Sequence, residues 1–307
     1  MRGLAKPAAA DDATRAHANR VGILPMVAAM ACFIINDTLV KYVSQTAPAA
    51  ELIFIRSAMA SLMVLTVVVA TSAKTQLREI GRGWVLVRAG LDAIATFLYL
   101  VSLFHLPIAT ATSIYSTLPL LITMLAALVI GERVRAALWV ATAVGFAGVL
   151  LIVQPRSTGL DFYAGVCFAA TAIVALRDIV TRRVHHSVPS IVVTLSTTLM
   201  VTVLAGVLSL VEGWRTIAVR DLGMLAIAAT SLACAYVLIV RSTRRGDLSV
   251  VAPFRYSALV FAVIVGFVVW GDVPNALAWC GIALLVGSGI YVLRTSRMAS
   301  TASPSLE

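Results

Sequence analysis

The 307-residue chain is 60% hydrophobic and 12% charged, about half the ~25% charge of a water-soluble domain, which excludes a folded surface made for water. Its net charge of +10 is scattered over many short segments without a single patch, which excludes a nucleic-acid surface and leaves a topology signal instead. Cys32, Cys167, Cys234 and Cys280 fall inside apolar runs with no CxxC or metal-ligand spacing, so they are expected to be small buried hydrophobes, with no metal and no cofactor.

The charges sit in islands between apolar runs of about 18–24 residues, the length that crosses a hydrocarbon core of ~30 Å. Only helices and closed barrels satisfy the backbone there, and runs this long and evenly apolar are helices. In chain order, the polar stretch 1–20 reads as a disordered cytoplasmic tail. The run after it is too long for a signal-peptide core and has no small-residue cleavage site. Ten spans are predicted, at 21–43, 50–71, 84–104, 108–130, 135–153, 162–184, 188–211, 221–241, 248–270 and 275–293. Pro48, Pro107, Pro189 and Pro274 lie at turns, where a missing N–H does no harm. A second polar tail, 294–307, is also expected to be disordered and cytoplasmic.

Lys and Arg set the orientation. Arg2, Lys6, Arg15 and Arg20 lie in the first tail, Lys74, Arg78 and Arg82 after the second span, and Arg133 and Arg135 after the fourth. Arg182 and Arg183 follow the sixth, Arg241, Arg244 and Arg245 the eighth, and Arg294 and Arg297 the tenth. The opposite side holds Lys41, Arg156, Arg215 and Arg220. This predicts a multi-pass protein of a bacterial inner membrane with both termini inside.

A weak internal repeat organises the spans. Asp37, Lys41 and Pro48 recur as Asp178, Arg182 and Pro189 at a shift of 141 residues. Gly131-Glu132 and Trp139 recur as Gly271-Asp272 and Trp279 at a shift of 140. The expected fold is all-α, ten transmembrane helices as two five-helix repeats, 21–153 and 162–293, joined by a linker at 154–161. Five is odd, so the second repeat must be inverted, as in many secondary transporters.

With five plus five spans and a fourth helix ending Leu128-Val129-Ile130-Gly131-Glu132-Arg133, the chain resembles the EamA family of the drug/metabolite transporter superfamily. Pro107-Ile108-Ala109-Thr110-Ala111 through Gly131-Glu132 fits that family's half-repeat pattern; the second copy, Leu248 through Gly271-Asp272, carries Asp for Glu and lacks the leading Pro. The resemblance covers 21–293. It implies a transporter, and looks closest to bacterial exporters of aromatic and other neutral amino acids.

A charge at mid-span costs about 2.5–3.5 kcal/mol on insertion scales, so Asp37, Arg56, Arg88, Asp92, Arg177, Asp178 and Arg255 should face partners or a wet cavity. Asp37–Lys41 and Asp178–Arg182 have the i, i+4 spacing of ion pairs, either gates at opposite faces or helix-end pairs whose cations snorkel. Arg88, Asp92, Thr96 and Tyr99 form one stripe on the third span. That stripe is either a cavity wall, with Asp92 taking an amine or a proton, or a buried Arg88–Asp92 pair. The fourth span is rich in hydroxyls, Thr112 and Ser116 among them, around Tyr115, and is interrupted by Pro119, which frees a carbonyl near Tyr115. The ninth has Pro253 followed by Arg255 and Tyr256. Interrupted helices at matching places point to the substrate site, so the third, fourth, eighth and ninth spans are the expected walls, with Ser231 and Tyr236 from the eighth. Gly145, Gly148, Gly281 and Gly287 are expected to pack the fifth and tenth spans closely. Trp84, Trp214, Trp270 and Trp279 are expected at the membrane interfaces.

These observations predict a monomeric secondary transporter in the bilayer, moving a small-molecule substrate by alternating access. A cavity with Arg, Asp and Tyr suits neutral amino acids. Phosphorylated or nucleotide-type metabolites, which would need several cavity cations to hold phosphate, or drugs, are the alternative cargo. No HExxH, GxSxG, P-loop or acidic metal cluster is present, so an enzyme or ATP-driven pump is not expected. His17, His105, His185 and His186 lie in tails or loops. A channel is disfavoured because no filter motif is seen.

Overall fold

The computed structural model describes residues 7–71, 77–78, 80–81, 83–125, 127–128, 136–154, 160–181, 183–185, 188–245 and 251–301. Its helices are α1 (Pro7–Val43), α2 (Ala49–Ala70), α3 (Gly83–His105), α4 (Ile108–Tyr115), α5 (Leu118–Leu125), α6 (Ala136–Val153), α7 (Leu160–Thr181), α8 (Ser190–Glu212) and α9 (Val219–Arg245), then a 3₁₀ turn (Ala252–Tyr256), α10 (Ser257–Trp270) and α11 (Ala276–Thr301). Among the described residues, ten segments are long and apolar enough to cross a membrane, from Gly22–Val43 to Ala276–Thr295. The fourth is α4 with α5 (Ile108–Leu125), and the ninth is the 3₁₀ turn with α10 (Ala252–Trp270). Large apolar side chains such as Leu24, Leu62, Val211 and Val268 stand on the outside, as lipid contact requires.

The two halves are inverted copies. The first span packs on the eighth and the ninth, and the sixth packs on the third and the fourth. The second packs on the eighth, and the seventh on the third. The second and seventh, fourth and ninth, and fifth and tenth pack on each other. Exchanging the halves leaves this set of pairs unchanged. Named bonds give the directions. Lys41, near the end of α1, donates to the carbonyls of Leu103 and Leu106 at the end of α3, so those helices run in parallel. Arg88, near the start of α3, bonds to Thr181 at the end of α7, so the sixth span runs against the third, and hence against the first.

The self-paired crossings bring small residues together. A Cβ on Gly148 would stand 2.7 Å from the Gly281 carbonyl oxygen, and one on Gly145 would strike Leu120 and the Ser288 hydroxyl, so α6 and α11 touch backbone to backbone. Gly287, expected in the same role, has open space around it. Glu212 accepts from the backbone N–H of Ala49 at 3.2 Å and Ala50 at 2.7 Å. That carboxylate closes the start of α2, where Pro48 offers no side-chain cap.

The outer boundaries differ from the sequence expectation. α1 begins at Pro7 and α11 runs to Thr301, where disordered tails were expected. Pro7 is the first helical residue, where its fixed φ suits a helix start, and the alanine-rich segment after it extends a helix already nucleated by the span. The Gly131-Glu132 motif and the end of the predicted fourth span lie outside the described residues.

Candidate substrate site

The break in the fourth span falls at Ser116-Thr117, between α4 and α5, as Pro119 dictates: the Tyr115 carbonyl has no N–H four residues on. Ser116 and Thr117 hydroxyls turn back onto the Thr112 and Ile114 carbonyls, both at 2.7 Å. In the ninth span the 3₁₀ turn around Pro253 meets α10 at Tyr256-Ser257, the equivalent place at the 140-residue shift. The two breaks touch, because the Tyr256 hydroxyl donates to the Ser116 carbonyl at 3.4 Å. Tyr256 also fills the space beside Gly289 on α11. Among the described residues, the buried hydroxyls of Thr112 and Ser257 have no partner.

Beside these breaks lie two polar networks. In the first, Arg177 on α7 bridges Asp92 on α3 and Asp178 on α7: Nη1 bonds Asp92, and Nη2 and Nε bond Asp178 at 2.7 and 3.0 Å. Asp92 is buried. Arg88, on the same stripe, turns to the hydroxyls of Thr181 at 3.0 Å and Thr197 at 2.8 Å. The Arg88–Asp92 pairing considered from sequence is therefore replaced by a bridge between helices, since Arg177 reaches Asp92 directly while Arg88 finds acceptors on two other helices. Thr96 is half-buried a turn beyond Asp92.

In the second, Asp37 on α1 accepts from the Tyr99 hydroxyl at 2.8 Å and from the Asn36 amide at 2.9 Å. Arg56 on α2 donates to the Asn36 side-chain amide oxygen at 3.1 Å. Tyr99 packs on Tyr115, ring centroids 5.3 Å apart, which joins α3 to the broken fourth span. Tyr236 on α9 packs edge-on against Phe33 at 5.6 Å. It is 41% exposed and, through Phe33 one turn before Asp37, stands beside the second network. Ser231 is half-buried on α9, and Arg255 is exposed in the 3₁₀ turn, where its charge acts on Tyr256.

The expected Asp37–Lys41 ion pair is absent. Lys41 is buried and its ammonium sits on the Leu103 and Leu106 carbonyls, 5.4 Å from the Trp270 ring. The cause is Pro107, which cannot donate to the Leu103 carbonyl, so the end of α3 presents orphan acceptors that a cation satisfies. Asp178 belongs to the Arg177 bridge, and its expected partner Arg182 lies outside the described residues. Asn36, Arg56 and Arg177 were not among the predicted site residues. Mid-span charge had singled out both arginines, and Asn36 stands beside Asp37 in the sequence, but no pattern in one chain says that α1, α2 and α3 meet there. Among the described residues no cluster of His, Cys, Asp and Glu could hold a metal.

The profile of the EamA-like transporter family matches residues 20–154 and again 162–294, once per half. The chain is 31% identical over 287 residues to the pseudopaline exporter CntI of Pseudomonas aeruginosa, covering 90% of this chain and 97% of that one. It is 27% identical over 209 residues to a riboflavin transporter of Rhizobium johnstonii, 68% of this chain and 69% of that one. With an S-adenosylmethionine uptake transporter of Rickettsia bellii it shares 24% over 298 residues, 94% and 98% of the two chains. A protein crystal structure superposes with a TM-score of 0.62 at 18% identity, over 93% of this chain and 100% of that one, a likeness of fold.

Proposed function

The chain belongs to the EamA-like transporter family, and from that premise we propose that it exports a small zwitterionic metabolite, neutral and aromatic amino acids being the simplest candidates. It is a multi-pass inner-membrane protein that carries a small molecule, not an enzyme. The observation that carries the finer reading is the balance of charge where the halves meet. Asp37, Asp92 and Asp178 stand with Arg56, Arg88 and Arg177, beside the Tyr99–Tyr115 pair. A cavity neutral in sum but charged at both signs suits a substrate with an ammonium and a carboxylate, and the rings suit an apolar side chain. The acids oppose a phosphorylated cargo. Likeness to an exporter over nearly the whole chain supports the outward direction.

Alternating access through the touching breaks of the fourth and ninth spans is the mechanism this geometry favours. The units are the repeats 21–153 and 162–293 in a monomer, with both termini cytoplasmic. The relatives named for riboflavin and S-adenosylmethionine favour a second reading, a larger cargo on the same fold. Counterflow in proteoliposomes separates the two, with labelled Phe, Tyr, Trp, Met, Thr, Leu, Lys and Glu run beside riboflavin and S-adenosylmethionine. We expect uptake of the neutral amino acids only. Uptake of none of them by protein shown to be folded would sink the first reading, and uptake of a larger compound alone would establish the second.

A further inference from the structure

We infer that Arg56 and Asp37 are the two poles of the substrate site, Arg56 taking the carboxylate and Asp37 the ammonium of an α-amino acid, with Asn36 between them as an internal stand-in for the substrate. This rests on the amino-acid reading above and names the residues that would perform it.

Arg56, Asn36 and Asp37 are 4%, 2% and 9% exposed. Among the described residues, Arg56 has no carboxylate and Asp37 no cation at ion-pair distance. The other charges have spent their bonds: Arg177 holds Asp92 and Asp178, and Arg88 holds two threonine hydroxyls. Arg56 gives one N–H to the Asn36 amide oxygen, and its buried Nε has no partner among the described residues, although a guanidinium offers five donors. The neighbouring Ser57 hydroxyl is also buried and unpartnered. Buried donors left unbonded are costly, and a carboxylate arriving at Arg56 would satisfy those of the guanidinium.

Asn36 shows what the site accepts. Its amide oxygen faces the cation at 3.1 Å and its amide nitrogen faces the anion at 2.9 Å. An α-amino acid offers the same two functions with full charges, and charge-assisted hydrogen bonds are roughly twice as strong as neutral ones. The amide therefore keeps Arg56 and Asp37 apart, unpaired with each other, and is the weaker occupant that a substrate displaces. Phe33 lies one turn before Asp37 on the same face of α1. With Tyr236, its edge-on partner, it forms an apolar wall next to Asp37.

The test uses the full-length protein in proteoliposomes, with labelled phenylalanine and two unlabelled competitors that each lack one charge, 2-phenylethylamine and 3-phenylpropanoate. Wild type should be inhibited by phenylalanine and by neither analogue. Arg56→Gln should lower phenylalanine uptake roughly a hundredfold and cease to discriminate against 2-phenylethylamine. Asp37→Asn, the isosteric change, should do the same for 3-phenylpropanoate. A variant that failed to fold would lose all uptake and could not trade one analogue for the other, and each arm stands without its partner. Wild-type uptake of phenylalanine with unchanged analogue discrimination in both variants would overturn the two-pole site and leave the transport reading standing. Wild-type protein that carries no zwitterion would overturn both.

Discussion

At the scale of the residue, intramembrane charges take partners on other helices in preference to the nearest one in sequence. Lys41 is four residues from Asp37, but the end of α3 before Pro107 is the stronger attractor, because Pro107 has no N–H to give the Leu103 carbonyl and the ammonium donates to that carbonyl and to Leu106. We expect Lys41→Met to cost about 1–3 kcal/mol, the desolvation of acceptors left bare, read as a lower unfolding temperature in detergent. A double-mutant cycle with Asp37→Asn should show coupling under about 0.5 kcal/mol; clear coupling would restore the ion pair expected from spacing. Asp92→Asn should reduce transport and lower stability by about 2–3 kcal/mol. That is less than the ~3–5 kcal/mol for a buried charge left alone, because Arg177 keeps Asp178. An unchanged unfolding midpoint would show that the Asp92–Arg177 bridge contributes nothing.

At the scale of the element, the interruption in the fourth span was legible in the sequence as Pro119, which removes a backbone bond from a helix interior, whereas Pro253 marks the ninth span by standing at the start of its 3₁₀ turn. That the breaks touch, through Tyr256 and the Ser116 carbonyl, was not legible there. Pro119→Ala should heal the α4–α5 ladder, and we expect it to lower the rate of counterflow while the protein stays folded; full activity would remove the break from the mechanism. The glycines divide in the same way. Gly281→Ala drives a Cβ into the Gly148 carbonyl and to within 2.8 Å of Ile152 Cγ1, so a loss of roughly 1–3 kcal/mol is expected. Gly287→Ala meets nothing and should be neutral, or gain up to about 1 kcal/mol of helix propensity. Thermal unfolding of the two variants side by side checks both.

At the scale of the whole molecule, inversion of the halves makes a topological claim. With ten spans and the basic residues on one side, both termini should react with a thiol reagent only after the membrane is opened. A cysteine introduced at Arg215, between α8 and α9, should react from outside. The experiment is single-cysteine labelling of right-side-out vesicles in a background with Cys32, Cys167, Cys234 and Cys280 replaced by serine. A terminus labelled from outside would reverse the assignment.

The sequence by itself determined the number of spans, their approximate limits, the repeat and the family, because each depends on local quantities: apolar length against bilayer thickness, proline positions, and the side on which Lys and Arg collect. From the stripe on the third span and the hydroxyls and rings of the fourth, eighth and ninth it also led to the expectation that Asp92, Tyr99, Tyr115 and Tyr236 line one cavity, while Asp37 was expected to pair with Lys41. Only the tertiary structure decided which charge meets which. Asn36 joins Arg56 to Asp37, and Arg177 joins Asp92 to Asp178, through contacts between α1 and α2 and between α3 and α7. A hydrogen bond forms within about 3 Å, while helices that are neighbours in space can be remote in the chain. The spacing within one helix therefore could not foretell the pairing across the bundle.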